Sequence, residues 1–266
     1  MRPISLHHIV TPDISAVELV ALAGATGCAH VCVFTEPPPP SWPFPCVTDE
    51  NIGEVLAAMN AHQVSAYGVT SFPVGPETDV GAYEGGLARG GRLGATYASA
   101  RILDPDEARA TDNFGRLCEL ASRYGMEASI EMMAYQEPEA LDRTLRIIEG
   151  AGKGKFTLDP LHLVRSGASL DTIRKARPSP IGYFQICDGP MHATADDYWR
   201  REGGSERLSP GEGDFPLEEM LALVPDRRAV SIEVPCQSLR AQGLTPEERA
   251  RRAVDATRRF LAAAET

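Results

Sequence analysis

The chain has 266 residues, 43% of them hydrophobic and 24% charged, with a formal net charge of −11 at pH 7. That length supports a sizeable buried core, and the acidic balance repels phosphate backbones at long range, which argues against a nucleic-acid partner. No apolar run approaches the ~20 residues that span a bilayer, so no membrane partner is expected. The first residues lead into histidines rather than a secretory hydrophobic segment. The six cysteines are scattered without a CxxC pair; in a chain of this length they read as reduced, mostly buried thiols in a cytoplasmic protein.

Short β-rich runs alternate with longer helical patterns along the whole chain. The pattern predicts a strand over 4–10, a helix over 15–25 stopped by Gly27, and a strand over 29–35. The proline-rich segment 36–45 that follows cannot be regular structure. A helix over 49–62, a strand over 64–72, a glycine-interrupted helix over 77–92 and a strand over 95–100 complete the first half. In the second half, helices over 106–124, 137–149 and 170–176 alternate with strands over 127–132, 155–158 and 181–187. A long connection over 189–216 carries a short helix and a glycine-rich tail, and the chain closes with a helix over 217–223, a strand over 229–233 and a helix over 245–264.

Eight strand–helix units joined by right-handed crossovers predict an α/β protein, a (β/α)8 TIM barrel spanning 1–266 as one domain, near the typical ~250 residues. The alternative is an open doubly wound sheet with a bound nucleotide. That fold wants GxGxxG after a strand, and none follows one here.

In a barrel the carboxyl ends of the strands form the active face. The fifth predicted strand ends at Glu131, the sixth at Asp159 with His162 three residues on, the seventh near Gln185 with Asp188 three residues on, and the eighth at Glu233. Adjacent strands bring these oxygen donors to one height. Three facing carboxylates without a counter-charge are driven toward protonation, and a divalent cation removes the conflict. Oxygen ligands favour Mn2+ or Mg2+, with Co2+ also compatible. Any one such carboxylate is as readily a rim residue or a helix cap; four donors on consecutive strands make a site.

His162 lies near enough to face the same cavity, whereas Asp188 reads equally as a supporting partner or a cap. His7 and His8 alternate faces on the first strand, so at most one points inward. The stretch Arg207-Leu-Ser-Pro-Gly-Glu-Gly-Asp-Phe-Pro216 specifies a rigid loop in which Arg207 can present a planar cation to a substrate oxygen or carboxylate. The glycine-rich run Gly150–Lys155 fails the phosphate-loop spacing. Trp42 and Phe44, beside the prolines, are expected to pack onto the barrel.

Glu131, Leu158-Asp-Pro-Leu-His162, Phe184-Gln-Ile-Cys-Asp188, Arg207-Leu-Ser-Pro-Gly-Glu-Gly213 and Ile232-Glu233 together resemble the xylose isomerase-like barrel superfamily. Its members include sugar (phosphate) isomerases and epimerases, hydroxypyruvate isomerase, inosose and 3-dehydroshikimate dehydratases, and endonuclease IV. The resemblance implies Glu131, Asp159, Gln185 and Glu233 as ligands of one divalent metal, with His162 and Arg207 contacting substrate. Many members carry His where Gln185 stands, and the Gln leans toward the hydroxypyruvate-isomerase-like and dehydroshikimate-dehydratase-like branches. The histidine-rich zinc site of endonuclease IV has no counterpart here.

The expected activity is a metal-dependent isomerisation or epimerisation of a small hydroxy-carbonyl compound through an enediolate. Glu131 and Glu233 would act as paired acid and base, and His162 would polarise the oxygens. The alternatives are a dehydratase on the same enolate chemistry and a non-catalytic sugar-binding barrel. The expected partner is a small-molecule substrate; pairing into a homo-oligomer is common for such barrels and is left open.

Overall fold

The computed structural model describes residues 2–37, 43–134, 140–176, 179–192, 198–225 and 228–264. Eight strands run parallel: β1 (Ile4–His7), β2 (His30–Phe34), β3 (Ser65–Val74), β4 (Tyr97–Ile102), β5 (Glu127–Glu131), β6 (Lys155–Leu158), β7 (Ile181–Ile186) and β8 (Val230–Ile232). They pair in sequence order and close into a barrel through β8 on β1, with Ser5 opposite Ser231 and Leu6 opposite Ile232. Strands covered on both faces are near-continuous apolar runs, as in His30–Phe34 and Ile181–Ile186.

Helices α1 (Ala16–Ala25), α2 (Ile52–His62), α3 (Glu84–Arg92), α4 (Glu107–Arg123) and α5 (Ala140–Ala151) follow the first five strands. Local chemistry sets several starts. Ser15 and Glu18 form a reciprocal capping box on α1, and the Asp106 side chain accepts from the Arg109 amide to open α4. Two short helices, α6 (Pro160–Arg165) and α7 (Leu170–Lys175), follow β6. After β7 come α8 (Tyr198–Gly204) and α9 (Leu217–Leu221), and after β8 come α10 (Gln237–Ala241) and α11 (Pro246–Ala264). No described helix is long and apolar enough to cross a membrane.

The lower half of the barrel is filled by Tyr67, Tyr97 and Tyr183, whose ring centroids lie 5.1–5.6 Å apart. The Tyr97 hydroxyl donates to the Gly182 carbonyl at 2.9 Å, which satisfies its buried polar end. Ser129 and Thr157 hydrogen-bond across β5 and β6 at 2.7 Å. This floor closes the barrel from below and leaves the cavity at the carboxyl ends.

The predicted elements are observed, with shifted ends that have local causes. The first strand stops at His7 rather than at residue 10, because the His7 ring accepts the Ile9 amide at 3.1 Å and a 3-10 turn follows. β3 and β4 each run two residues beyond the predicted strands, to Val74 and Ile102, which brings Ser71, Pro73 and Arg101 to the mouth. The predicted helix over 77–92 divides into a 3-10 turn over Val80–Tyr83 and α3. The turn after β6 is a true helix, opened by Asp159 with Pro160 at its first position. Pro38, Pro39, Pro40, Trp42 and the first residues of the predicted helix over 137–149 lie outside the described residues.

Candidate metal centre and active site

Glu131 is the last residue of β5, Asp159 follows β6, Gln185 lies within β7 and Glu233 follows β8. All four are buried. Gln185 Nε2 donates to Glu131 Oε1 at 2.6 Å and approaches Asp159 Oδ2 at 3.3 Å, so the side-chain amide joins the two carboxylates. Asp159 also serves the backbone: its Oδ1 accepts from the Leu161 amide at 2.8 Å, which orients the carboxylate into the barrel.

Arg207 supplies the direct counter-charge. Its Nη1 lies 2.8 Å from Asp159 Oδ2 and 2.6 Å from Glu233 Oε2. The other guanidinium nitrogens are held by backbone carbonyls, Nε by Glu202 at 2.9 Å and Nη2 by Gly203 at 3.0 Å. Arg207 also lines the cavity, where a contact to substrate is expected of it. Arg207 is first a positioning residue for two carboxylates.

The segment that carries Arg207 is pinned by Asp188. One carboxylate accepts four backbone amides: Gly189 at 2.8 Å, Gly211 at 2.9 Å, Gly213 at 3.0 Å and Phe215 at 3.1 Å. Of the two readings open for Asp188, the contacts match the supporting partner: all four amides belong to loop residues and none to a helix. A Cβ at Gly213 would stand 2.5 Å from both Asp188 Oδ1 and the Gly189 backbone, which explains glycine there.

His162 projects into the cavity from α6, and its Nδ1 accepts from the Ala134 amide at 3.4 Å. Ligand atoms of Glu131, Asp159 and His162 lie within 4.8 Å of one another, so His162 belongs with the donor cluster as well as beside it. Sequence reasoning undervalued His7. Its Nε2 lies 3.9 Å from Glu233 Oε1, whereas His8 Nε2 turns away to the Ile14 carbonyl at 2.8 Å. With Nδ1 accepting from Ile9, the neutral His7 ring carries its proton on Nε2, facing Glu233.

Burial governs the protonation of the cluster. Desolvation, with Asp159 nearby, raises the pKa of Glu131, and desolvation raises that of Glu233 well above the carboxylate range despite Arg207. Burial also opposes the charge on Asp159, but Arg207 outweighs it and holds that group low. The two shifts run in opposite directions: burial favours the neutral form of Glu233, and Arg207 favours the charged form of Asp159. Burial pushes His162 down to about 4 and His7 down to about 3, so both rings are neutral near pH 7.

The cavity above this cluster is walled by Phe34, Glu36, Phe44, Thr70, Ser71, Arg101 and Met133. Phe44 lies against Phe34 with ring centroids 3.7 Å apart, so it both packs, as expected, and lines the cavity. Arg101 is a second functional candidate that sequence reasoning missed. Ending the fourth strand at residue 100 left it outside the barrel face.

Structural comparison places the same fold in proteins with little sequence in common. IolI, in a crystal structure with a bound zinc atom, superimposes with a TM-score of 0.79 at 17% identity, covering 99% of each chain. D-psicose 3-epimerase from Clostridium cellulolyticum H10, solved with D-tagatose, gives 0.72 at 14% identity over 100% of each chain. A probable 3-DHS dehydratase, AsbF from Bacillus anthracis, gives 0.70 at 15% identity over 97% of this chain and 98% of that one. No curated protein matches the sequence. The xylose isomerase-like TIM barrel family matches residues 19–260, and the chain belongs to that family.

Proposed function

We propose that the protein is a divalent-metal-dependent isomerase or epimerase of a small hydroxy-carbonyl compound. The observation that carries this reading is the convergence of Glu131, Asp159, Gln185 and Glu233 from four consecutive strands, with Arg207 as the direct cationic partner of Asp159 and Glu233. Burial, with neighbouring carboxylates, pushes the pKa values of Glu131 and Glu233 up, and a cation among them is what would favour the ionised form of both. The donor set therefore fits a hard divalent ion, Mn2+ or Mg2+, with Co2+ also compatible. Gln185 can ligate only through Oε1, so the amide orientation that holds a cation is opposite to the one that hydrogen-bonds the carboxylates.

Bound there, the metal would polarise the substrate's carbonyl and hydroxyl oxygens and acidify the C–H between them. Glu131 and Glu233 stand three strands apart on the closed barrel and line one cavity, so they flank a substrate held between them. One carboxylate takes the proton from carbon and the other returns it at the neighbouring carbon or the opposite face. Arg207 keeps Glu233 and Asp159 in place. His162, neutral with its proton on Nε2, donates to a substrate oxygen and steadies the enediolate.

A dehydratase reading is favoured by one observation, the presence of His7 beside Glu233. A second ring donor in the cavity can direct a leaving hydroxyl. The two are separated by incubating the Mn2+-loaded protein with keto-sugars and hydroxypyruvate in D2O and following the products by NMR. Isomerase or epimerase chemistry incorporates deuterium next to the carbonyl with no loss of water, and Glu233→Gln abolishes it. Loss of water supports the dehydratase, and the absence of exchange with every compound contradicts enediolate chemistry.

A further inference from the structure

Two arginines line the cavity, and the structure uses them differently. Arg207 is engaged at all three guanidinium nitrogens by the protein. Arg101, at the end of β4, is fixed only through Nε, which donates to Ser71 Oγ at 3.0 Å. Among the described residues its two Nη groups have no hydrogen-bond or ion-pair partner. Nε is thus held in place while both Nη groups of this cavity-lining arginine are left to bind a ligand, the arrangement that suits a planar anion.

We propose that Arg101 is the anchor for a carboxylate on the substrate, so that the site takes a hydroxy-carbonyl acid rather than a neutral sugar. This inference rests on the metal reading of the site. With Glu131, Asp159 and Glu233 ionised, a divalent cation and Arg207 balance them, while His7 and His162 stay neutral. Glu36, on the same wall, is answered by Arg89 at 3.8 Å and by the Gly86 amide. Arg101 is then the surplus positive charge of the cavity, and a substrate monoanion neutralises it.

A carboxylate fits better than a phosphate. The anchor offers one guanidinium, and the start of α4, the helix that follows β4, is occupied by its own Asp106 cap. Phosphate sites recruit several backbone amides at a free helix N-terminus. Ser71 holds the arginine and Thr70 lines the wall beside it.

The test is a matched pair of ketohexose probes, 5-keto-D-gluconate and L-sorbose, which differ in carrying a carboxylate or a hydroxymethyl group at the end remote from the hydroxyketone. Their dissociation constants are measured by calorimetry on the EDTA-treated and the Mn2+-loaded full chain, for wild type, Arg101→Gln and Arg101→Lys. We expect the acid to bind on the order of 10- to 100-fold more tightly than the neutral sugar, as for a charge-assisted hydrogen-bond pair. Arg101→Gln removes that preference and leaves L-sorbose within about twofold, while Arg101→Lys keeps part of it. If Arg101→Gln loses its circular-dichroism signal, the Lys variant carries the comparison.

Equal binding of the two probes, or a preference that survives Arg101→Gln, overturns the proposal; so does the absence of acid binding in both forms. A preference that depends on Arg101 with no influence of Mn2+ upholds the anchor and overturns the metal reading instead.

Discussion

Arg207 Nη1 lies 2.8 Å from Asp159 Oδ2, with both side chains 1% exposed, and the same nitrogen reaches Glu233 Oε2 at 2.6 Å. A single buried guanidinium therefore holds two of the candidate metal ligands. Removing the arginine leaves the buried Asp159 carboxylate without its cationic partner, a cost of about 3–5 kcal/mol. Arg207→Met is expected to destabilise the metal-free protein by about that amount, with part of the loss restored by Mn2+. Urea denaturation with and without Mn2+ checks this; a loss below about 1 kcal/mol contradicts the positioning role.

Glu233 behaves differently, because burial pushes its pKa well above the usual carboxylate range and favours its neutral form in the metal-free protein. Glu233→Gln replaces a neutral acid with a neutral amide of similar shape. Thermal stability without metal is expected to stay equal or to rise slightly. Turnover falls by about 100-fold or more if Glu233 exchanges protons with the substrate. A variant that is both stable and active removes Glu233 from the chemistry.

Opposed titrations set the pH dependence. The raised pKa values of Glu131 and Glu233 give stability that is fully present below their unfolded values and is lost as pH rises through their folded ones. Buried neutral His162 and His7 contribute in the opposite sense. Their share is present above the unfolded value of 6.5 and is lost as pH falls toward about 4 and about 3. Metal binding must expel the carboxyl protons, so affinity rises with pH and protons are released. The melting temperature with Mn2+ is therefore expected to exceed that with EDTA by a gap that widens between about pH 5 and 8. A gap that narrows as pH rises contradicts carboxylate ligation.

Asp188 gives a structural prediction at a distance from the chemistry. Its carboxylate closes the Arg207 loop by accepting amides from Gly189, Gly211, Gly213 and Phe215. Asp188→Ala strands these donors, at about 1–3 kcal/mol for each one left without a partner. Gly213→Ala meets the same carboxylate through steric conflict. Both variants are expected to lower the melting temperature and, by displacing Arg207, to lower turnover. Wild-type stability in both contradicts the pinning role.

The barrel and the line of donors from Glu131 to Glu233 were legible because strand period, strand order and polar residues at strand ends are local signals. What escaped the sequence turned on backbone events of one or two residues. His7 faces the cavity because its own ring closes a 3-10 turn with Ile9, which ends the strand early and separates it from His8. Arg101 escaped for the opposite reason, since β4 continues past Ala100. Asp188 could not be told from a helix cap, because three of its four amide donors come from a loop that folds back from 23 to 27 residues away. The division of labour between Arg207 and Arg101 depends on hydrogen bonds to Glu202, Gly203 and Ser71 that no sequence motif encodes.

The central claim is the metal centre formed by strands β5 to β8. Its most direct test is the metal content of the purified protein after reconstitution with Mn2+, measured by mass spectrometry beside a Glu131→Ala, Asp159→Ala double variant. The account predicts about one Mn2+ per chain in the wild type and none in the folded variant. A wild type that holds no metal after reconstitution, or a variant that holds as much as the wild type, contradicts it.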